Sequence, residues 1–260
     1  MQANAAATII GSYPSPFVRK VLAACAIKNL PFKIDPIVPF LGGDAFTKLS
    51  PLRRVPVYID DQVTLSDSTI ICEYLDERYP QHSIYPGNAA DRAHARWIEE
   101  FADTRLADLC IWKIFFPVVV KPHVFGGARD VAAVQRVVRE ELPEAMAYLE
   151  RIAPVAEFLF GEISMADIAV AVHFSNLKWA RIELPTDVAP RALAWVARTQ
   201  AHAALAAVNA IADEAVRTPL PEHRALLQRH GISLTEESVG ANKPQRGPMT
   251  VAFADAEASS

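Results

Sequence analysis

Over the first 80 residues, short apolar runs of strand length exchange with helical spacing; beyond them only helical spacing persists. Thr8-Ile9-Ile10-Gly11 and the stretch 32–38 are apolar-rich and short, as strands are, while residues 16–29 repeat Phe17, Val21 and Cys25 along one helical side. A strand, a helix and a second strand in this order predict a βαβ unit with parallel strands. Val57-Tyr58-Ile59 and Val63-Thr64-Leu65 flank the acidic pair Asp60-Asp61, which predicts a tight antiparallel hairpin. A helix follows at once, capped by Ser66 or Asp67 and carried by Ile70, Ile71, Tyr74 and Leu75 as far as Pro80.

The second part reads differently. Residues 81–90 have the Pro, Gly, His and Ser content of a surface linker. A long helix is predicted over 91–116, stopped by Pro117 and Pro122, and another over 129–153 with a bend at Pro143. Further helices are predicted over 165–181, 190–199, 202–217 and 221–229. Ser164-Met165-Ala166-Asp167 is a reciprocal capping sequence, with Ile163 and Ile168 placed to pack on each other, and it fixes the start of the 165–181 helix. The predicted fold class is therefore α/β plus all-α: a thioredoxin-like βαβ-ββα unit in residues 1–80 and an all-helical region in 91–230. Residues 231–260, rich in Gly, Ser, Ala, Glu and Pro, form a C-terminal extension.

Composition narrows the function. With 51% hydrophobic and 22% charged residues, the 260-residue chain can bury a substantial core. A net charge of -4 lacks the basic excess that phosphate backbones select, so nucleic acid is not an expected partner. Cys25, Cys72 and Cys110 lie far apart and form neither a disulfide framework nor a zinc pattern, and no metal is expected. The start of the chain lacks the basic residues of a signal peptide, and no apolar run reaches the roughly 18 residues of a membrane span. A soluble cytoplasmic protein with no membrane partner is the expectation.

The most informative short stretch is Ser15-Pro16-Phe17. Pro16 suits the first helical position, which makes Ser15 the cap directly after the first strand. Helix N-termini favour anions by up to about 2 kcal/mol, and a hydroxyl donating to a charged acceptor adds about 1.5–3 kcal/mol. Together these can lower a thiol by roughly two pH units from its usual 8.5. From position alone, a plain helix cap is the favoured reading of Ser15. Val55-Pro56-Val57 adds a candidate cis-proline ahead of a strand, leaving Val55 to pair with a peptide ligand, and Asp67-Ser68 offers a carboxylate and a donor at the next helix start.

Ser15-Pro16-Phe17 with Arg19-Lys20-Val21, Val55-Pro56-Val57, Ser66-Asp67-Ser68-Thr69, Glu73-Tyr74-Leu75 and Ser164-x-x-Asp167 jointly resemble the soluble glutathione transferase superfamily, in its bacterial serine-type and omega-like members, over about residues 8–230. The resemblance implies a thioredoxin-like domain, a helical domain and a homodimer. It also implies glutathione as co-substrate, with Ser15 where serine classes keep the hydroxyl that activates the thiol. Phe17, Val55, Pro56, Asp67 and Ser68 fall on the glutathione-binding positions. Asp67 stands where many relatives carry the longer Glu.

Further candidates are Arg54 for the glycine carboxylate of glutathione, and Tyr13, Trp112, Phe115 and Phe116 for the substrate pocket, although core is the favoured reading of the three helical aromatics. Ser12 and Tyr13 compete with Ser15 for the catalytic role. The activity implied is glutathione transfer to a small apolar electrophile, as in detoxification; the alternative is a non-enzymatic binding or assembly protein of the same fold. Thiol–disulfide exchange is disfavoured, because Ser15 cannot form a mixed disulfide and Cys25 lies about 15 Å further along the helix. The default reading of the extension is a weakly held tail; the hypothesis set beside it is that the apolar stretch 249–253 docks on the helical region and borders the substrate cleft.

Overall fold

A computed structural model describes residues 6–155, 157–245 and 247. Strand β1 (Ala7–Ile10) pairs in parallel with β2 (Phe32–Asp35), from Ala7 opposite Phe32 to Ile10 opposite Asp35. The connecting helix α1 (Pro16–Ile27) buries Val18, Val21, Leu22 and Cys25, completing the expected βαβ unit. Strand β3 (Val57–Ile59) runs antiparallel to β1 and pairs with β4 (Thr64–Leu65), giving the order β2-β1-β3-β4. Asp60 makes the hairpin turn as its composition predicts: its Oδ1 accepts from the amides of Gln62 and Val63 at 2.8 and 2.9 Å. Helix α3 (Ser68–Arg78) follows, capped by Asp67.

A 3₁₀ turn (Pro39–Leu41) and the short helix α2 (Asp44–Leu49) lie between β2 and β3, where no helix was expected. Six residues are too few to show a period, so only the structure identifies α2.

Among the described residues every helix or strand element after Arg78 is a helix, with only isolated β-bridges besides. Helix α4 (Ala89–Phe101) does not stop at the prolines. It continues in wide π winding through Ala102–Leu106 and Asp108–Phe125, with Pro117 and Pro122 inside it. That corrects the expected stop: proline breaks regular α-winding through its missing donor and its clash with the preceding turn, and here the chain passes both prolines in π rather than α winding. The predicted bent helix over 129–153 is instead two helices, α5 (Val131–Glu140) and α6 (Leu142–Ile152), and Pro143 sits in the first turn of α6, where it needs no partner. Helices α7 (Met165–Trp179), α8 (Pro190–Ala201), α9 (Ala203–Ala215) and α10 (His223–Arg229) lie close to their predicted ranges.

Helix α7 is buried from Met165 to Leu177 and serves as the spine of the helical part. Its capping box is present. The Asp167 carboxylate accepts from the Ser164 amide and hydroxyl at 2.9 and 2.7 Å, from the Leu159 amide at 3.0 Å and from Trp195 Nε1 at 2.8 Å. One carboxylate thus fixes the start of α7, the preceding loop and α8. Replacing it leaves several buried donors without an acceptor. We expect Asp167→Ala to destabilise the fold by at least about 3 kcal/mol in urea unfolding; a loss below about 1 kcal/mol would show that the hub is dispensable.

Candidate functional site

Sheet topology decides which loops meet. With β1 and β2 parallel, β3 reversed and β4 reversed again, the ends of β1, β2 and β4 and the start of β3 share one edge of the sheet. That edge receives Ser15, the Pro39–Leu41 turn, Arg54-Val55-Pro56 and Asp67-Ser68. The carboxyl ends of parallel strands are where open α/β sheets bind ligands. The Val55–Pro56 peptide is cis, as its position before a strand suggested. Gly11, at φ +151°, lets these pieces touch, since a Cβ there would stand 2.5 Å from Val18 Cγ2 and 3.2 Å from Val55 Cβ.

Ser15 is the cap of α1, half-buried, with extended backbone, and Pro16 occupies the first turn. Its Oγ accepts from the Val18 amide at 3.4 Å. The hydroxyl is the acceptor in that bond and so keeps its own proton for donation. Ser12 is the poorer competitor. It is 2% exposed and lies 3.3 Å from Nδ1 of His223, whose Nε2 is held by the carbonyls of Ala215 and Thr218 at 3.0 and 3.1 Å. Those carbonyls place the ring proton on Nε2, so Ser12 donates to Nδ1. Tyr13 is 3% exposed within the core, and burial raises its phenol above the usual tyrosine range.

Asp67 is exposed and caps α3 through Oδ1, which accepts from Thr69 and Ile70 at 3.0 and 3.2 Å. Ser68 is buried in the first turn of that helix. Arg54 is exposed on the loop before Val55, and its amide is fixed by Ser50 Oγ at 2.9 Å. The neighbouring Arg53 is structural. Its guanidinium donates to Thr47 and to the carbonyls of Pro39 and Gly42, and it lies over the Phe46 ring.

The aromatic candidates separate. Phe17 meets the His173 ring edge-on at 6.0 Å, which joins α1 to α7. Phe115 is buried and packs on Trp179. Trp112 and Phe116 are half-buried and belong to another group, in which Phe116 contacts Phe40 at 5.9 Å and Phe125 at 6.1 Å. Phe40 and Phe125 were not singled out from sequence. Nothing local marks Phe40, because its ring partners Phe116 and Phe125 lie more than 70 positions further along the chain.

The three cysteines are buried and free. Burial pushes the thiols of Cys25 and Cys110 up to about 12 and that of Cys72 well above its ordinary value. Among the described residues no group of three or more His, Cys, Asp or Glu side chains is arranged to hold a metal ion, and no helix is long and apolar enough to cross a membrane.

A mixed four-stranded sheet with α1 behind it, a cis-proline at the loop edge and an appended helical region define a thioredoxin-like unit joined to a helical partner, the arrangement of glutathione transferases. The chain belongs to the glutathione S-transferase superfamily. Residues 9–83 match the family described as glutathione S-transferase, N-terminal domain. The chain is 30% identical to the uncharacterized GST-like protein YibF of Escherichia coli over 175 residues, 67% of this chain and 83% of that one. It is 28% identical to glutathione S-transferase U13 of Arabidopsis thaliana over 234 residues, covering 83% and 96% respectively. Among solved structures, a glutathione S-transferase from Sinorhizobium meliloti superposes with a TM-score of 0.72 at 26% identity, over 85% of this chain and 99% of that one.

Two buried histidines flank the site, and both are held below the ordinary histidine value. For His173 the causes are burial, then the charges of Arg19 and Lys20; for His223 burial outweighs its carbonyl bonds. Below about pH 6.5 the unfolded chain binds protons that the folded one refuses, so stability falls as pH drops, by up to about 1.4 kcal/mol per pH unit for each histidine. Thermal melts should be level above about pH 7 and decline towards pH 5. His173→Phe should flatten that decline; an equal decline in the variant would remove His173 as a cause.

Proposed function

We propose that this chain is a glutathione transferase of serine type, in which Ser15 holds the glutathione sulfur as a thiolate for attack on a small apolar electrophile. The observation that carries this reading is the Ser15 cap. A hydroxyl with its proton available stands at the positive end of a twelve-residue helix, on the sheet edge that also carries a cis Val55–Pro56 and the Asp67 cap. Activation then needs no general base, because helix dipole and hydroxyl together lower the thiol.

The tripeptide would lie along this edge. Val55 supplies backbone bonds, Asp67 a charge for the α-ammonium group, Ser68 a donor for the γ-glutamyl carboxylate, and Arg54 a charge for the glycine end. Phe17 stands behind the thiol at the joint with α7, and Tyr13 backs it from the core. Trp112 and Phe116 offer the electrophile an apolar surface, whereas Phe115 supports it from behind. Membership of a superfamily that takes its name from this activity supports the reading.

Ser15→Ala should raise the pKa of bound glutathione by about one to two units and remove most conjugation while leaving binding within a few-fold, since the hydroxyl bond is worth about 1.5–3 kcal/mol. Ultraviolet titration of the thiolate and calorimetric binding check this together. Binding by the parent protein without a thiolate near neutral pH would favour a non-enzymatic binding role instead.

Asp67 has two functions that substitution can separate. Asn caps a helix as well as Asp does, so Asp67→Asn should leave the melting temperature near that of the parent while weakening glutathione about ten- to hundredfold. Asp67→Ala should lose both. Unchanged glutathione affinity in Asp67→Asn would leave Asp67 as a cap alone.

A further inference from the structure

The hypothesis drawn from sequence has the C-terminal extension lie against the helical region through residues 249–253, which fall outside the described residues. Its described portion goes elsewhere. After α10 the chain returns to the sheet and adds to the free edge of β2: the Ile34 amide donates to the Ser233 carbonyl at 2.9 Å, and the Thr235 amide to the Ile34 carbonyl at 3.2 Å. Asp35, 2% exposed at the end of β2, then grips the extension, its Oδ2 accepting from the Ser238 hydroxyl at 3.0 Å and the Val239 amide at 2.8 Å. Arg224 of α10 lies 3.5 Å from the other carboxylate oxygen and donates to the Thr235 carbonyl.

The extension next clamps the turn that follows β2. The Gly43 amide donates to the Val239 carbonyl at 2.9 Å, the Ala241 amide to the Leu41 carbonyl at 2.6 Å, and the Gln245 amide to the Phe40 carbonyl at 2.6 Å. Gly42, paired with Gly240, has no room for a side chain, since a Cβ would stand 2.0 Å from the Phe46 ring. Phe40 is thereby held from both sides. Its backbone is tied to the extension, and its ring packs edge-on against Phe116 at 5.9 Å and Phe125 at 5.2 Å, both on the helical side.

From this geometry we infer that Phe40 is a positioning residue for the electrophile side of the site, and that the extension exists in part to hold it there. Phe40 is 8% exposed and so acts through its neighbours. It fixes the half-buried Phe116, Phe125 and Trp112 as one preformed aromatic surface, which favours an aromatic group on the glutathione sulfur over a small alkyl one. The inference rests on the proposed glutathione site and adds a determinant that Ser15 and Asp67 do not supply.

The test measures calorimetric affinities of glutathione, S-methylglutathione and S-benzylglutathione for the full chain and its variants. Phe40→Ala removes the ring, while Gln245→Pro and Ala241→Pro together remove two clamp donors with the ring in place and serve if Phe40→Ala fails to fold. Both should weaken S-benzylglutathione by roughly three- to tenfold, the range of an aromatic pair, with glutathione and S-methylglutathione unchanged within about twofold. Phe40→Tyr should behave as the parent. Equal weakening of all three ligands, or no weakening of the benzyl ligand, would overturn the role of Phe40 while leaving the glutathione site intact. A parent chain that binds none of the three would overturn both readings.

Discussion

Two adjacent cations, Arg19 and Lys20, are buried in the middle of α1, each 0% exposed. Neighbouring helical residues point about 100° apart, so α1 must be enclosed on more than one side, and each charge must find its own compensation. Lys20 Nζ lies 2.8 Å from Glu99 and 3.1 Å from Thr69 Oγ1 and also pairs with Asp103; burial opposes its charge, but the two carboxylates outweigh burial and hold it protonated. Arg19 donates to Asn176 at 2.7 Å and Asn209 at 3.0 Å and stacks on Trp179 at 4.7 Å. The first set ties α1 to α3 and α4, the second to α7 and α9. The buried charges of one helix therefore bind to both the sheet layer and the helical part, and that helix begins at Ser15.

This joint has a consequence for the site. Asn176, which accepts from Arg19, also donates to the Pro14 carbonyl at 3.4 Å, so the residue preceding the α1 cap is tied to α7. Thr69 donates to Asp103 at 2.9 Å in the turn that Asp67 caps. Both helix starts proposed to hold glutathione are thus braced from the helical side, although all their side chains proposed for contact belong to the sheet layer. Preorganisation of this kind lowers the entropic cost of binding and keeps donors aimed before the ligand arrives.

Local chemistry made part of this legible in sequence. Ser15-Pro16, Asp60 and Ser164-x-x-Asp167 each act within four residues, so residue type and spacing were enough to place the α1 cap, the hairpin and the α7 start. The failures share a different origin. Pro117 and Pro122 obey a rule about α-winding that a wider helix evades, and α2 is too short to carry a period. Arg19 and Lys20 resemble surface charges until their partners 49 to 190 positions away are known. The extension is hardest of all, because Ser233 to Gly240 binds β2 through backbone groups and the carboxylate of Asp35, and its scattered apolar residues Leu234 and Val239, which pack on the core, form no periodic run.

The same distribution of groups narrows the sulfur chemistry. A chain that performed thiol exchange would need an exposed thiol of low pKa near the helix start, where the dipole favours a thiolate. Here that position holds a hydroxyl, and the nearest cysteine along α1, Cys25, is 2% exposed with its thiol pushed up to about 12 by burial. Cys72 and Cys110 are likewise buried. Among the described residues every protein sulfur of this reactive type is withdrawn from solvent, while the groups proposed to stabilise an anionic sulfur stand at the loop edge of the sheet. On the proposed reading the site receives a thiol rather than supplying one, so the nucleophile arrives with the ligand and the cap at Ser15 acts on it only while it is bound.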